Sequence, residues 1–222
     1  MFIKKFVSFA VASFLAAGLS VNIFAQRTGA GVPPSRDVIV TEVEVTPVDE
    51  GAVKGLARVL INNVLEISEI QVLKVGGRTS LKFPEYVSKK GKVYPQITVH
   101  TKQANDAILN AVTTGKPSGE KSKAISFKVT KFSKFTRPSK LKVFAAVMFN
   151  DAIEVECKIM EGNKGPWVSW PSRRPEGGGK WINQVAIKNK AVKDAIEKTL
   201  LERYAKMLRE SGASGGAGEE YE

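Results

Sequence analysis

Residues 61–67 read INNVLEI and residues 149–155 read FNDAIEV, so one pattern occurs twice at an offset of 88 positions. In each segment an apolar residue precedes Asn and a second turn residue, and alternating apolar and acidic positions follow. Asn and Asp tolerate the positive φ of a tight turn, and alternation is typical of a strand with one buried face. Both segments therefore predict a tight turn that leads into a half-buried strand.

The correspondence continues on the C-terminal side of both segments. Residues 92–97 (KVYPQI) match residues 180–185 (KWINQV), again at an offset of 88. The tripeptide Asp-Ala-Ile recurs at 106–108 and 194–196 with the same offset. Several blocks in one order and near one offset indicate an internal duplication.

Between these blocks the offset changes by one residue. Glu69 matches Glu156 and Pro84 matches Pro171 at an offset of 87, and the offset returns to 88 further along the chain. One residue is thus gained and then lost within the repeat. A β-bulge or a change of loop length produces such a shift.

Each repeat predicts five short antiparallel strands and one C-terminal helix. For the first repeat we predict strands at 38–45, 55–61 and 65–74, a fourth ending at 83–84, a fifth at 94–99, and a helix at 103–112. For the second we predict strands at 124–132, 141–149 and 153–161, a fourth ending at 170–171, a fifth at 181–187, and a longer helix with Val192, Ala195, Ile196, Leu200, Tyr204 and Met207 on one face.

The predicted fold class is α+β, with two units that are each an antiparallel β-meander with a C-terminal helix. Units of about 80 residues bury little core alone, so we expect them to pack as an intramolecular pseudo-dimer.

Four segments follow from these patterns and from composition. Residues 1–25 form a predicted signal peptide, because Lys4 and Lys5 precede an apolar stretch and Ala25 is a plausible cleavage point. A retained membrane anchor is the alternative. Unit one spans 37–117 and unit two spans 121–210. Residues 211–222 are rich in Gly and Ser and then acidic, which is typical of disorder.

Charge is distributed unevenly between the units. Asp37 to Pro117 carries 10 basic and 9 acidic residues, whereas Ser118 to Glu210 carries 20 basic and 10 acidic residues. This asymmetry predicts an anionic partner for unit two. A lysine-rich surface that only aids solubility is the alternative.

The residues that enzymes most often use are scarce. His100 is the only histidine and Cys157 the only cysteine, and the chain contains no CxxC or HExxH motif. Gly177–Gly179 lacks the Lys-Ser/Thr pair and the following helix of a phosphate-binding loop. We therefore expect no enzymatic activity, no cofactor, no metal site and no small-molecule substrate. Cys157 lies in an alternating apolar run and is expected to be a small buried side chain.

A basic and aromatic group in unit two is the candidate binding site. Its predicted members border the glycine loop and the preceding turn: Lys164, Trp170, Arg173, Arg174, Lys180 and Trp181. Arg and Lys neutralise phosphates, and exposed aromatic rings stack on bases. The alternative is that Trp167 and Trp181 fill the core, and we expect at least one of them to be buried. A second basic set surrounds the first hairpin of unit two: Lys121, Lys123, Lys128, Lys131, Lys134, Arg137, Lys140 and Lys142.

Unit two also carries a recognisable order of motifs. A Glu161-Gly162-Asn163 turn is followed by Pro171-Ser172-Arg173-Arg174, by the glycine loop and by a helix with Asp194-Ala195 and Tyr204. Over about 126–207 this order resembles the SpoVG family of septation, or stage V sporulation, proteins. Unit one matches more weakly, because Glu85-Tyr86 stands where Ser172-Arg173 stands.

The resemblance implies a small α+β protein that forms a homodimer, binds nucleic acid and takes part in the control of septation and sporulation. The first hypothesis is therefore a nucleic-acid or other polyanion-binding module, and a homodimer of the whole chain stays open. The second is an exported structural or interaction protein of the cell envelope that binds anionic lipid or wall polymer. The signal peptide predicts an exported location, whereas the family is generally cytoplasmic.

Overall fold

The computed structural model describes residues 37–119 and 125–213. The predicted signal peptide, Lys121, Lys123 and the acidic end of the predicted tail lie outside the described residues. The described part confirms an α+β protein with antiparallel sheets. No helix in these two ranges is long and apolar enough to cross a membrane.

Unit one contributes seven strands and one helix within the described residues. The strands are β1 Val40–Glu50, β2 Val53–Ile61, β3 Leu65–Val75, β4 Arg78–Lys82, β5 Glu85–Val87, β6 Val93–Pro95 and β7 Ile97–Val99, and the helix is α1 Lys102–Thr114. Strands β1 to β4 form the predicted meander. Thr101 caps the N-terminus of α1, and Gly115 ends it at a φ of 65°.

Unit two repeats this order. Its strands are β8 Phe127–Lys134, β9 Leu141–Phe149, β10 Ile153–Gly162, β11 Gly165–Ser169, β12 Ser172–Arg173, β13 Ile182–Asn183 and β14 Val185–Ile187, and its helix is α2 Lys190–Ala213. Strands β8 to β11 form the second meander. The helix α2 has 24 residues against 13 for α1, as the apolar patterns predict.

The turns that open the two central strands adopt the predicted conformation. Asn62, Asn63, Asn150 and Asp151 all have φ between 48° and 54°. Asn62 and Asn150 are buried, and each donates a side-chain hydrogen bond to the same acceptor, the carbonyl oxygen of Asp37, at 3.2 and 3.0 Å. Equivalent residues of the two units therefore meet at one backbone group, as expected near a pseudo-twofold axis.

The predicted fifth strand of each unit is in fact two strands with different partners, so the prediction of one continuous strand was wrong. The chain breaks at Gln96 and at Gln184, whose backbone N–H groups donate to Pro84 and Pro171. Before the break, β6 pairs with β5 and β13 pairs with β12. After the break, each short strand crosses to the other unit.

This crossing is reciprocal. Strand β7 of unit one pairs with β10 of unit two, where Ile97 lies opposite Val155. Strand β14 of unit two pairs with β3 of unit one, where Val185 lies opposite Ile67. The N-terminal halves of β3 and β10 would otherwise be unpaired sheet edges, so each unit completes the sheet of the other.

The change of offset within the repeat has a structural origin. In the pairing of β2 with β3, the register shifts between Ala57 and Val59, so the partner strand holds one extra residue. Glu69 lies in that β-bulge with a φ of 60°. Unit two pairs β9 and β10 in unbroken register from Ile153 to Ile159. Of the two explanations for the change of offset, a β-bulge and a change of loop length, the structure shows the bulge in unit one.

The two units share one hydrophobic core. A single cluster of buried side chains includes Val59, Ile67 and Ile108 from unit one and Val147 and Leu200 from unit two. Ile97 and Val185, which the exchanged strands deliver, belong to the same cluster. The expected pseudo-dimer therefore forms within the chain.

A mutation in the helix of unit one should destabilise both units. Ile108→Ala truncates a side chain that is 0% exposed, and such a change costs about 2–5 kcal/mol. All three tryptophans lie in unit two, at 167, 170 and 181. Because the core is continuous, we expect the urea midpoint measured by tryptophan fluorescence to fall together with the midpoint measured by far-UV circular dichroism.

Val75→Ala is the matched control, since the Val75 side chain is 65% exposed. It should leave both midpoints unchanged. A fluorescence midpoint that stays at the parental value while circular dichroism becomes biphasic would show that the units unfold independently, and would contradict the shared core.

Candidate functional site

The β12–β13 hairpin holds the centre of the predicted site. Ser172 pairs with Asn183 and Arg173 with Ile182, and residues 174–181 connect the two strands. Gly178 and Gly179 have φ of 81° and 106°, a region that favours glycine. Arg174 and Trp181 flank the paired residues at the loop end of this short ladder.

Arg173 makes an ion pair with unit one. Its Nε donates to Oε2 of Glu69 at 2.7 Å, and its Nη2 donates to Oε1 of the same carboxylate. Gln184 adds a hydrogen bond from its Nε2 to Glu69 Oε2 at 3.0 Å. The hydrogen bond with Glu69 raises the pKa of Arg173 above its ordinary value. Arg173 therefore has an internal counter-ion, and it holds the β12–β13 hairpin against the bulge in β3.

Trp170 also has an internal role. Its ring is half-buried and packs against the shared core. Its Nε1 donates a hydrogen bond to Glu197 Oε1 on α2 at 3.0 Å. Trp170 thus ties the end of β11 to the helix of unit two rather than presenting its ring to solvent.

The expectation that Trp167 or Trp181 is buried was wrong. Trp167 is 45% exposed and Trp181 is 65% exposed. Trp167 precedes the buried Val168 on β11. Because successive side chains of a strand point to opposite faces of the sheet, Trp167 faces away from the core. Its ring rests on Gly162, where an added Cβ would lie 3.2 Å from Cζ3 of the indole. Trp181 lies at the end of the glycine loop, so both rings are open to a ligand.

Three predicted cations are exposed and carry no ion pair within residues 37–119 and 125–213. Lys164 lies in the turn between β10 and β11, and Arg174 and Lys180 lie in the β12–β13 connection. Trp167 follows Lys164 in the chain, and Trp181 follows Lys180. The six predicted residues are therefore divided into two that are bound by carboxylates, Arg173 and Trp170, and four that have no such partner among the described residues.

The sheet topology brings three cations of the second basic set close to Lys164. In an antiparallel meander alternate turns lie at the same end of the sheet, so the β8–β9 and β10–β11 turns are neighbours. Glu161 N donates to the carbonyl oxygen of Lys140 at 2.7 Å, which confirms this proximity. Lys134, Arg137 and Lys140 are exposed there, and the described residues offer them no acidic partner. We call these three residues and Lys164 the turn-end cations. The predicted order of antiparallel strands was the sequence signal from which the proximity of these four cations could have been inferred.

A shallow groove adjoins the turn-end cations. It has a volume of about 280 Å³ and lies between the β8–β9 turn and the C-terminal part of α2. Lys134 and Arg137 line one side, and Tyr204 and Met207 line the other. The Tyr204 hydroxyl donates to Glu161 at 3.3 Å. Burial, and then the nearby Glu161 carboxylate, raise the pKa of Tyr204.

Other lysines of the second basic set are already neutralised. Lys128 contacts Asp151 at 2.5 Å, Lys131 contacts Glu156 at 2.7 Å, and Lys142 contacts Glu161 at 3.4 Å. A phosphate group would have to compete with these carboxylates. These lysines are therefore less available to an anionic group than the turn-end cations.

Cys157 is not placed to act as a nucleophile. Its side chain is 2% exposed, and burial raises the pKa of the thiol to about 12. The thiolate is the reactive form, so the group stays protonated near neutral pH. The prediction of a small buried side chain is confirmed. No group of three metal-ligating side chains comes together in the described residues.

Comparison with known proteins identifies the second repeat. The family model described as SpoVG matches residues 125–206. Residues 125–206 of unit two therefore form a SpoVG domain, which confirms the resemblance drawn from the turn, the Pro-Ser-Arg-Arg motif and the helix. Neither the curated proteins nor the solved structures contain a match to the chain.

The two adjacent arginines should differ in their effect on stability. Arg173→Ala leaves the Glu69 carboxylate, which is only 17% exposed, without its cation, and we expect a loss of about 1 kcal/mol in the free energy of unfolding. Arg174→Ala should stay within about ±0.5 kcal/mol, as usual for an exposed position. Urea unfolding of the two variants measures the difference.

Glu69→Gln provides the control for this ion pair. A double-mutant cycle between Glu69→Gln and Arg173→Ala isolates the coupling between the two side chains. Equal stability of the two arginine variants, or a coupling of zero, would contradict the assignment of Arg173 to the contact between units.

Proposed function

We propose that this SpoVG-like protein is a non-enzymatic nucleic-acid-binding protein that acts through the exposed, unpaired cations of unit two. The observation that carries the proposal is the contrast between paired and unpaired cations. Among the described residues, Arg173, Lys128 and Lys131 are held by carboxylates, whereas Arg174, Lys180 and the turn-end cations have no acidic partner. The unpaired cations are free to neutralise phosphates and release counterions.

Two exposed indoles support nucleic acid over a simple polyanion. Trp167 and Trp181 each lie close in sequence to an unpaired lysine and leave a large part of the ring open to solvent. Stacking of a base on an aromatic side chain contributes about 1–3 kcal/mol and tolerates any base. A ligand with both phosphates and bases would use the two kinds of side chain together. The family resemblance links such binding to the control of septation and sporulation, and we include that role in the proposal.

Removal of unpaired cations should weaken binding and reduce its salt dependence. We compare the parent with Arg174→Ala/Lys180→Ala and with Lys134→Ala/Arg137→Ala, by fluorescence anisotropy with a labelled single strand and a labelled duplex over a range of salt concentrations. Each lost phosphate contact should lower the slope of log K against log salt by about 0.7 for the single strand or about 0.9 for the duplex.

Lys128→Ala/Lys131→Ala is the matched control. It removes two positive charges from the same unit, but both are paired with carboxylates, at 2.5 and 2.7 Å. We expect a smaller change of slope than in either test variant. If all three double variants bind with the parental slope, unit two does not supply the phosphate contacts and the proposal fails.

Export would change which polyanion the protein meets. We propose, as a second candidate, that residues 1–25 direct the chain out of the cytoplasm and that the same cations bind anionic lipid or wall polymer in the cell envelope. The observation that favours it is the order of Lys4-Lys5, the apolar stretch and Ala25.

Cell fractionation followed by N-terminal sequencing tests the location. The expected result is a protein in the envelope or the medium whose first residue is at or near Gln26. A soluble cytoplasmic protein that retains Met1 would contradict export and leave nucleic acid as the ligand. Binding to anionic vesicles but to neither oligonucleotide would instead favour the envelope ligand.

A further inference from the structure

The β5–β6 hairpin of unit one carries an exposed pair of aromatic rings. Tyr86 and Tyr94 lie directly opposite each other and therefore share one face of the hairpin. They are 49% and 44% exposed, and their ring centroids lie 6.2 Å apart with an interplanar angle of 34°. Val87 and Val93, on the opposite face, are also exposed. This hairpin lies outside the residues that match the SpoVG family.

Lysines surround this aromatic pair. The Lys92 ammonium lies 5.0 Å from the centroid of the Tyr94 ring, and the Lys158 ammonium, from β10 of unit two, lies 5.3 Å from that of Tyr86. Lys89 and Lys90 occupy the exposed tip of the hairpin. The segment from Tyr86 to Asn105 contains no acidic residue. The near-neutral charge of unit one as a whole therefore conceals a locally cationic surface.

Hydrogen bonds fix the loop at the tip of the hairpin, so that the side chains of Lys89 and Lys90 project into solvent. Ser88 and Lys92 close the loop, because Ser88 N donates to Lys92 O at 2.9 Å and Lys92 N donates to the Ser88 hydroxyl oxygen at 3.0 Å. Gly91 takes a φ of 75°, which favours glycine at the turn. Glu85, at the base of the hairpin, is paired with Lys82 at 2.5 Å and does not oppose an anion at the tip.

We propose that this hairpin is a base-stacking platform for single-stranded nucleic acid, a second contact surface that rests on the proposed function but lies in the other unit. Each tyrosine offers a ring to a base, and the flanking lysines offer charge to the adjacent phosphates. The rings are 6.2 Å apart, whereas bases stacked in a duplex are separated by about 3.4 Å along each strand. Two neighbouring bases of a single strand can separate and each stack on one of the two rings. The bases of a duplex are held in their own stack and cannot separate in this way.

The test separates stacking from charge. The full chain is titrated with an oligothymidylate of about 20 nucleotides, which has bases and phosphates, and with inorganic polyphosphate, which has charge alone. Tyr86→Ala/Tyr94→Ala should weaken oligothymidylate binding at least about fivefold for each lost stack and leave polyphosphate binding unchanged. Tyr86→Phe/Tyr94→Phe keeps the rings and should bind both probes like the parent.

Two further measurements test the platform even if the double alanine variant does not fold. If the double alanine variant loses its native circular dichroism, Tyr94→Ala alone is used, since it leaves the contact between Tyr86 and Lys158. The unaltered chain is also photo-crosslinked to a bromouracil-substituted single strand, and we expect crosslinks in the peptide that contains residues 86–94. Crosslinks confined to Trp167 and Trp181 would overturn the platform.

The possible failures are distinguishable. If the parent binds oligothymidylate and the alanine variant binds it equally well, the platform is overturned and the proposed function stands. If the tyrosine change abolishes binding to anionic vesicles and leaves oligothymidylate binding intact, the hairpin is a membrane contact and the platform is again overturned. If the parent binds neither oligothymidylate nor polyphosphate, the proposed function fails together with the platform.

Discussion

The pairing of β7 with β10 and of β14 with β3 is the interaction on which the rest of the structure depends. Without it, the N-terminal halves of the two central strands would expose unpaired N–H and C=O groups beside an apolar core. The exchange also delivers Ile97 and Val185 into that core. It places the β5–β6 and β12–β13 hairpins against the opposite units, through the contacts of Tyr86 with Lys158 and of Arg173 with Glu69.

Much of this fold was predictable, because the informative signals are local. The turns at Asn62 and Asn150, the alternating strands and the helix faces each depend on residues that are close in sequence. The shift of the repeat offset also showed that unit one gains a residue before Glu69, although it did not distinguish a β-bulge from a change of loop length. The exchange of β7 and β14 was not, because a duplicated sequence offers each short strand two similar partners, β3 and β10. Local patterns cannot decide between them, and only the path of the preceding hairpin does.

The candidate site was predictable in composition but not in detail. The sequence grouped Trp170 and Arg173 with their neighbours, although the contacts that occupy them come from Glu197 and Glu69, 27 and 104 positions away. Hydrogen-bond and ion-pair partners at such distances are set by tertiary structure alone. The net charge of unit one likewise did not reveal the cationic hairpin, because it sums the lysines of β5–β6 with acidic residues that lie elsewhere in the unit.

The covalent connection between the repeats has a consequence for behaviour at low concentration. In a dimer of separate chains, exchanged strands are lost when the subunits dissociate, and stability therefore depends on protein concentration. Here Pro117 and Ser118 join the partners, and the Ser118 hydroxyl oxygen accepts a hydrogen bond from Val40 N at 2.9 Å. Each half thus meets the other at a fixed effective concentration. The pair stays assembled on dilution, and its two halves can differ in sequence because each always meets the other.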